Sequence, residues 1–288
     1  MIDLQARGRA RRRKLVNRIA EASATLAALV AVGVLVVLVW SVLKEGAGAL
    51  NLDFFTKGPA TFGQSGGGIA PALVGSLLLV AIATAFALPL GVLIAIYVSE
   101  FAPEGAGRPI RVVLDVLNGF PSIVIGVFVF TLLVAGHRQS GLAGSIALAI
   151  IMLPLVARAT MEVLELVPGQ LREASLALGV SKWRTVISIV LPSAFGGILT
   201  GATLAVARAA GETAPLLFTT SIVAGYVQTD PRNALASIPV TIFTYSESPD
   251  PALHQQAWAA AFVLIAFVLV TSLAARALLD RSRRKLAR

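Results

Sequence analysis

The sequence predicts an all-α, polytopic membrane protein, and three observations carry that expectation. Hydrophobic residues make up 57% of its 288 positions and charged ones only 14%, against roughly 25% charged in an average soluble chain; the mean hydropathy is +0.84. The apolar residues are gathered into six runs, each close to or above the roughly 20 residues a helix needs to cross the hydrocarbon layer. Lys and Arg stand mostly between those runs and are shared unequally between the two sides they define.

Residues 1–21 form a basic N-terminal segment, and the first span runs from Ala22 to Leu43. A basic start before an apolar run has the look of a signal peptide, and Ala47-Gly48-Ala49 looks like a small-residue cleavage site. The run is longer than the roughly 7–15 residues of a signal's apolar region, so a retained helix is expected. Residues 44–71 make an outer segment ending in the glycine-rich stretch Gly63-Gln64-Ser65-Gly66-Gly67-Gly68. Such a stretch can cradle phosphate through its amides, but no Gly-Lys-Ser/Thr follows it and no strand precedes it, so it reads as a flexible lead. The chain has no Walker sequence at all; ATP, if used, belongs to another subunit.

The second span, Ala72 to Val98, contains Pro89, and the turn-rich connection 99–111 reverses the chain. The third, Val112 to Ala135, opens on Asp115, Asn118, Gly119, Pro121 and Ser122, a polar, helix-breaking cluster that reads as an interfacial helix start. Leu142 to Met161 is the fourth, with Pro154 inside it; membrane helices tolerate such prolines because neighbouring helices satisfy the freed carbonyl. The fifth extends from Ser193 to about Ala224 and the sixth from Ala257 to Leu279, closing a six-span domain over 22–279 before a basic tail, 280–288.

Orientation follows the positive-inside rule. With the N-terminus cytoplasmic, eighteen of the 24 Lys and Arg residues fall on that side, and only Lys44, Lys57, Arg138 and Arg232 on the other. Both termini and the connection 163–192 are then cytoplasmic. A net charge of +9 can signal nucleic-acid binding, but here the cations sit at span ends, where topology and anionic lipid account for them. Without Cys there are no disulfides or thiolate metal sites, and the two His, His137 and His254, lack the spacing of a metal pair.

The connection 163–192 carries more organisation than a linker needs. Residues 170–178 are good helix formers and Gly179 suits a helix C-terminal turn. Small residues at Ala174, Ser175 and Ala177 would let a partner's groove close over the backbone, while Leu171, Leu176 and Leu178 supply apolar contacts. Lys182, Trp183 and Arg184 suit a membrane interface, and Pro192 opens the next span. This is a docking element; nothing in it is catalytic.

Two arginines lie within predicted spans, where a charge costs a few kcal/mol and calls for a reason. Arg158 is about one turn from the cytoplasmic end of span four, within reach of the interface by snorkelling. Arg208, 16 residues beyond Pro192, is about 24 Å along the helix, too deep to snorkel back. Four residues on, Glu212 shares its helix face, so the two can simply neutralise one another. Alternatively the guanidinium is an anion site, its planar fork matched to phosphate oxygens, with Glu212 tempering the charge so that the anion can leave. Gly211 and Pro215 imply a broken helix, the kind that lines transport cavities.

The series Glu173-Ala174-Ser175, Gly179, Ile189, Leu191-Pro192 resembles the EAA loop of ABC importer permeases, with Ser175 in place of a second Ala. The strings Leu117-Asn118-Gly119-Phe120-Pro121-Ser122-Ile123-Val124-Ile125-Gly126, Arg208-Ala209-Ala210-Gly211-Glu212-Thr213-Ala214-Pro215-Leu216 and Ser237-Ile238-Pro239-Val240-Thr241-Ile242-Phe243 are similar to permeases of the phosphate-specific importer, the PstA type in the latter two. That resemblance covers roughly residues 15–280. It implies that Glu173, Ala174, Ser175 and Gly179 belong to a coupling helix seated in a cytoplasmic ATPase, and that Arg158, Arg208 and Glu212 line the path of inorganic phosphate. It further implies a PstC-type permease, a PstB-type ATPase dimer that binds the ATP, and an external PstS-type binding protein as partners, with no enzymatic activity and no cofactor in this chain. Sulfate or molybdate import is the nearest rival reading, followed by an ion-driven carrier and a non-transporting scaffold; a carrier lacks the support of matched internal halves, and a scaffold leaves Arg208 unexplained.

Overall fold

A computed structural model describes residues 9–59, 66–103, 105–221 and 225–286. Arg7, the Gly63-Gln64-Ser65 half of the glycine-rich stretch, Ala224 and Arg288 lie outside the described residues. Among those described there is no strand, only an isolated antiparallel bridge between Pro59 and Gly67. The chain is built from helix α1 (Arg9–Gly46), α2 (Leu52–Thr56) and α3 (Ala70–Ile96), then α4 (Gly107–Gly119), α5 (Ser122–Val129) and α6 (Gly141–Glu165). A cytoplasmic pair follows, α7 (Gly169–Ala177) and α8 (Lys182–Thr185), and then α9 (Leu191–Ala210), α10 (Ala214–Thr219), α11 (Ile238–Ser246) and α12 (Pro251–Leu286). Single π-helical turns extend α3 (Tyr97–Phe101), extend α5 (Phe130–Val134) and join α8 to α9 (Val186–Val190).

Among the described residues five helical stretches are long and apolar enough to cross a membrane, and α4 with α5, taken together as one bent pair, meets the same measure as a sixth. Pro89 and Pro154 lie inside α3 and α6 as expected. Two expected spans are corrected. The third is not one rod: α4 and α5 meet at 97°, because Pro121 forces Phe120 into extended backbone (φ −67°, ψ 136°) and ends the helix there. Asp115, Asn118 and Gly119 therefore belong to a separate amphipathic helix rather than to the entry of a straight span. The fifth starts earlier and stops earlier than expected. The run from Lys182 to Ala210 is continuous, then breaks over Gly211–Thr213; Pro215, whose missing N–H is no loss in a first turn, opens α10.

The centre of the bundle is formed by α3, α6 and α9, through Leu79, Ala83, Leu148, Met152, Val156, Ala205 and Ala209. Small residues let these backbones close up, which is the main source of helix association where lipid competes for every apolar contact. A Cβ on Gly91 would stand 2.8 Å from Val156 Cγ1, one on Gly126 would stand 2.6 Å from Pro215 Cα, and one on Gly201 would be driven into Ala159 Cβ. Gly201→Val should accordingly cost about 1–3 kcal/mol by overpacking, seen as a lower unfolding temperature in detergent. Gly33→Val on α1, where among the described residues nothing outside its own helix backbone lies within 4 Å of an added Cβ, should leave that temperature unchanged.

On the outer side, Phe54 of α2, Ile69, Ala236, Ile238 and Tyr245 pack with the start of α12, and Ser76 accepts from the Ile238 amide at 2.8 Å. α1 reaches this cap by its end, where Gly46 meets Trp258 and Ala259; from Leu15 to Leu38 its large side chains are exposed.

Candidate functional site

The polar connection folds as a tight helical hairpin. Pro168 precedes α7, and α7 ends in a Schellman turn: Gly179 N–H donates to Leu176 O at 2.9 Å and Val180 N–H to Ser175 O at 3.2 Å. Gly179 holds φ +76°, the left-handed conformation that makes glycine the preferred residue there. Arg172 turns inward and is the hub of the hairpin. It donates to Glu100 at 2.7 and 3.2 Å, to Val167 O at 2.6 Å and to Leu164 O at 2.8 Å.

The structure places the four docking residues unequally. Glu173, Ala174 and Gly179 face outward with Leu176, Leu178 and Trp183, Leu178 being 84% exposed. Ser175 is corrected: it is only 4% exposed, its hydroxyl 2.8 Å from that of buried Thr185. The small side chain at this position closes α7 onto α8 instead of clearing the outer face, because the helix turns it towards the hydroxyl that satisfies it.

Arg208 stands level with the middle of α6: Ala205 and Ala209 on either side of it pack in one cluster with Leu148 and Met152. Its side chain is 48% exposed on the flank of the bundle, and its Nε lies 3.6 Å from Oε1 of Glu212, which is 16% exposed in the helix break. The pair is close enough to interact but too long to be a hydrogen bond, so most of the guanidinium fork is open. Arg158 is about 10 Å nearer the cytoplasm, judged from the contact of Ala159 with Gly201, seven residues before Arg208. It pairs with Asp115 of α4, and a second pair of opposite sense, Arg111 with Glu165 at 2.9 Å, joins the same two helices. Asp115 is a counter-ion that the sequence did not reveal, because α4 had to be separated from α5 before its polar face could be laid along α6. Glu100 was missed likewise: it stood in a connection that showed only turn signals. A cavity of about 280 Å³ between α3 and α12, lined by Leu77, Val80, Ala210, Leu264 and Phe267, is apolar, and neither arginine lines it.

Five spanning helices with a bent sixth pair, a broken helix carrying Arg208 and a helical hairpin between two spans are the architecture of a membrane component, and its relatives say of which kind. The family model for the binding-protein-dependent transport system inner membrane component matches residues 87–286. At the level of fold, a chain of a bacterial alginate ABC transporter superposes with TM-score 0.64 at 15% identity, over 94% of this chain and 96% of that one. A chain of the MetNI methionine ABC transporter, inward facing, gives 0.58 at 17% identity over 74% and 94%. The phosphate transport system permease protein PstA of Yersinia pestis is 40% identical over 273 residues, 94% of this chain and 92% of that protein. PstA 1 of Mycobacterium tuberculosis strain H37Rv is 40% identical over 276 residues, 92% and 87% of the two chains. The chain belongs to the PstA family of phosphate transport permeases.

Proposed function

We infer that this protein is the permease subunit of an ATP-driven importer that carries inorganic phosphate across the cytoplasmic membrane of a prokaryote. The observation that carries the reading is identity of about 40% to PstA proteins along more than nine-tenths of the chain. Arg208 and Arg158 are the residues assigned to the anion. A guanidinium offers phosphate two parallel hydrogen bonds, and the carboxylates of Glu212 and Asp115 keep each arginine compensated when the anion is elsewhere. Phosphate then exchanges with a counter-ion instead of filling an uncompensated well, which lets it leave as readily as it enters.

Partners are needed on three sides. The exposed flank of Arg208, together with an α1 that leans off its own bundle, fits a second, PstC-type permease completing the path. The outward face of α7 and α8 fits the cleft of a PstB-type ATPase dimer, which supplies the nucleotide site that this sequence lacks. A PstS-type binding protein delivers phosphate at the outer cap. In the cycle, ATP closes the ATPase dimer, the hairpin moves as a lever, and the spans rock from inward- to outward-facing; hydrolysis resets them. Selection of the substrate rests mostly with the binding protein, and the arginines add a phosphate-compatible passage.

Labelled phosphate uptake at limiting concentration in cells lacking and then regaining the chain tests this reading. Uptake should return, should require ATP, and should persist in excess sulfate or molybdate. Suppression by either competitor would move the assignment to that oxyanion, and uptake independent of any ATPase partner would point to an ion-driven carrier.

A further inference from the structure

We propose that the π-helical end of α3, residues Tyr97–Phe101, receives the movement of the docking hairpin and passes it to the spans, and that Glu100 and Arg172 are the strut. The proposal rests on the reading that α7 docks on an ATPase. Two consecutive residues of this turn are gripped by the two helices of the hairpin. Glu100, 6% exposed, takes Arg172 of α7 in a pair reaching 2.7 Å. Phe101 lies against Trp183 of α8, ring centroids 6.1 Å apart, with Lys182 Nζ 5.5 Å from its ring. The same Arg172 holds the carbonyls of Leu164 and Val167 at the end of α6, so one guanidinium ties α7 to both of the tightly packed spans.

Geometry explains why this contact suits transmission. A pair whose carboxylate is nearly out of water is screened less than a surface pair, and a guanidinium held by four acceptors cannot pivot as a single contact would. Because α3 and α6 are packed against each other through Gly91 and Val156, a push on α7 displaces them as one body. The glutamate at the head of the motif, Glu173, faces outward and takes no part.

The experiment uses the assembled transporter in proteoliposomes, reading ATP hydrolysis and labelled phosphate accumulation in the same vesicles. Glu100→Gln is expected to keep ATP hydrolysis within about twofold of wild type while phosphate moved per ATP falls at least about fivefold. Exchange of the charges, Glu100→Arg with Arg172→Glu, should recover part of that ratio, and Arg172→Lys, a point charge without the fork, should be intermediate. An unchanged ratio in Glu100→Gln overturns the proposal.

A second readout is independent of what is carried. The chain has no Cys, so spin labels can be placed at Gln170→Cys on α7 and Leu77→Cys on α3, both exposed positions. Their separation should be the same with and without ATP in the otherwise wild-type complex, and should change in Glu100→Gln. A separation that responds to ATP equally in both proteins overturns the strut even if wild type moves no phosphate, whereas that failure of transport alone would remove only the phosphate assignment.

Discussion

Arg208→Gln should reduce uptake of limiting phosphate at least tenfold while the protein remains in the membrane at wild-type level. Glutamine keeps some hydrogen-bonding capacity but is shorter and loses the charge and the fork. A hydrogen bond to a charged group contributes about 1.5–3 kcal/mol, a factor of roughly 10–100. The alternative is that Arg208 serves only to neutralise Glu212, 3.6 Å away. The double variant Arg208→Gln with Glu212→Gln separates the two. If the arginine is merely a counter-ion, removing both charges should restore uptake, since no unpaired carboxylate is then left in the helix break. If the arginine meets the anion, the double variant stays inactive. Recovery in the double variant would reduce Arg208 to a structural residue and leave the phosphate assignment standing.

Gly179→Asp should abolish ATP-driven uptake, and comparison with Gly179→Asn shows why. Gly179 has φ +76° and, among the described residues, nothing beyond its adjacent chain lies within 4 Å of an added Cβ, so the variant has room in its own subunit. Left-handed backbone costs a residue with a side chain roughly 1–2 kcal/mol, less for Asp and Asn. Strain is therefore small and nearly equal in the two variants, and their difference isolates a negative charge on the outward face of the hairpin. Asp should collapse uptake and Asn retain a substantial part of it, with co-purification of the ATPase lost in the first and kept in the second. Full uptake by Gly179→Asp would refute the docking assignment of this loop.

Much of this molecule was legible in its sequence, for reasons particular to membranes. Within the hydrocarbon layer a chain must satisfy every backbone amide internally, so an apolar run of sufficient length, such as Leu142 to Met161, has one regular solution; the helix found is Gly141–Glu165. The hairpin was legible because Gly179 marks a left-handed turn at the end of a run of helix formers. That Arg208 lies far along its span from the cytoplasmic end was legible from its separation from Pro192, although the helix begins earlier, at Lys182.

Other features were settled by contacts between elements distant in the chain. Pro121 signals a break, but not the 97° at which α4 leaves α5, since α4 lies where Leu114 and its two ion pairs meet α6. Ser175 faces inward because Thr185, ten residues on, is brought round to meet it. Arg158 has the partner Asp115 and Arg172 has Glu100, 72 residues away. The helical class, the apolar stretches long enough to span and the helical hairpin between two of them could be read from the sequence, because hydropathy and turn chemistry act over one or two dozen residues. Only the tertiary structure decided which charge answers which, because in a bundle the neighbour of a side chain is chosen by helix packing, and packing joins residues that the chain keeps far apart.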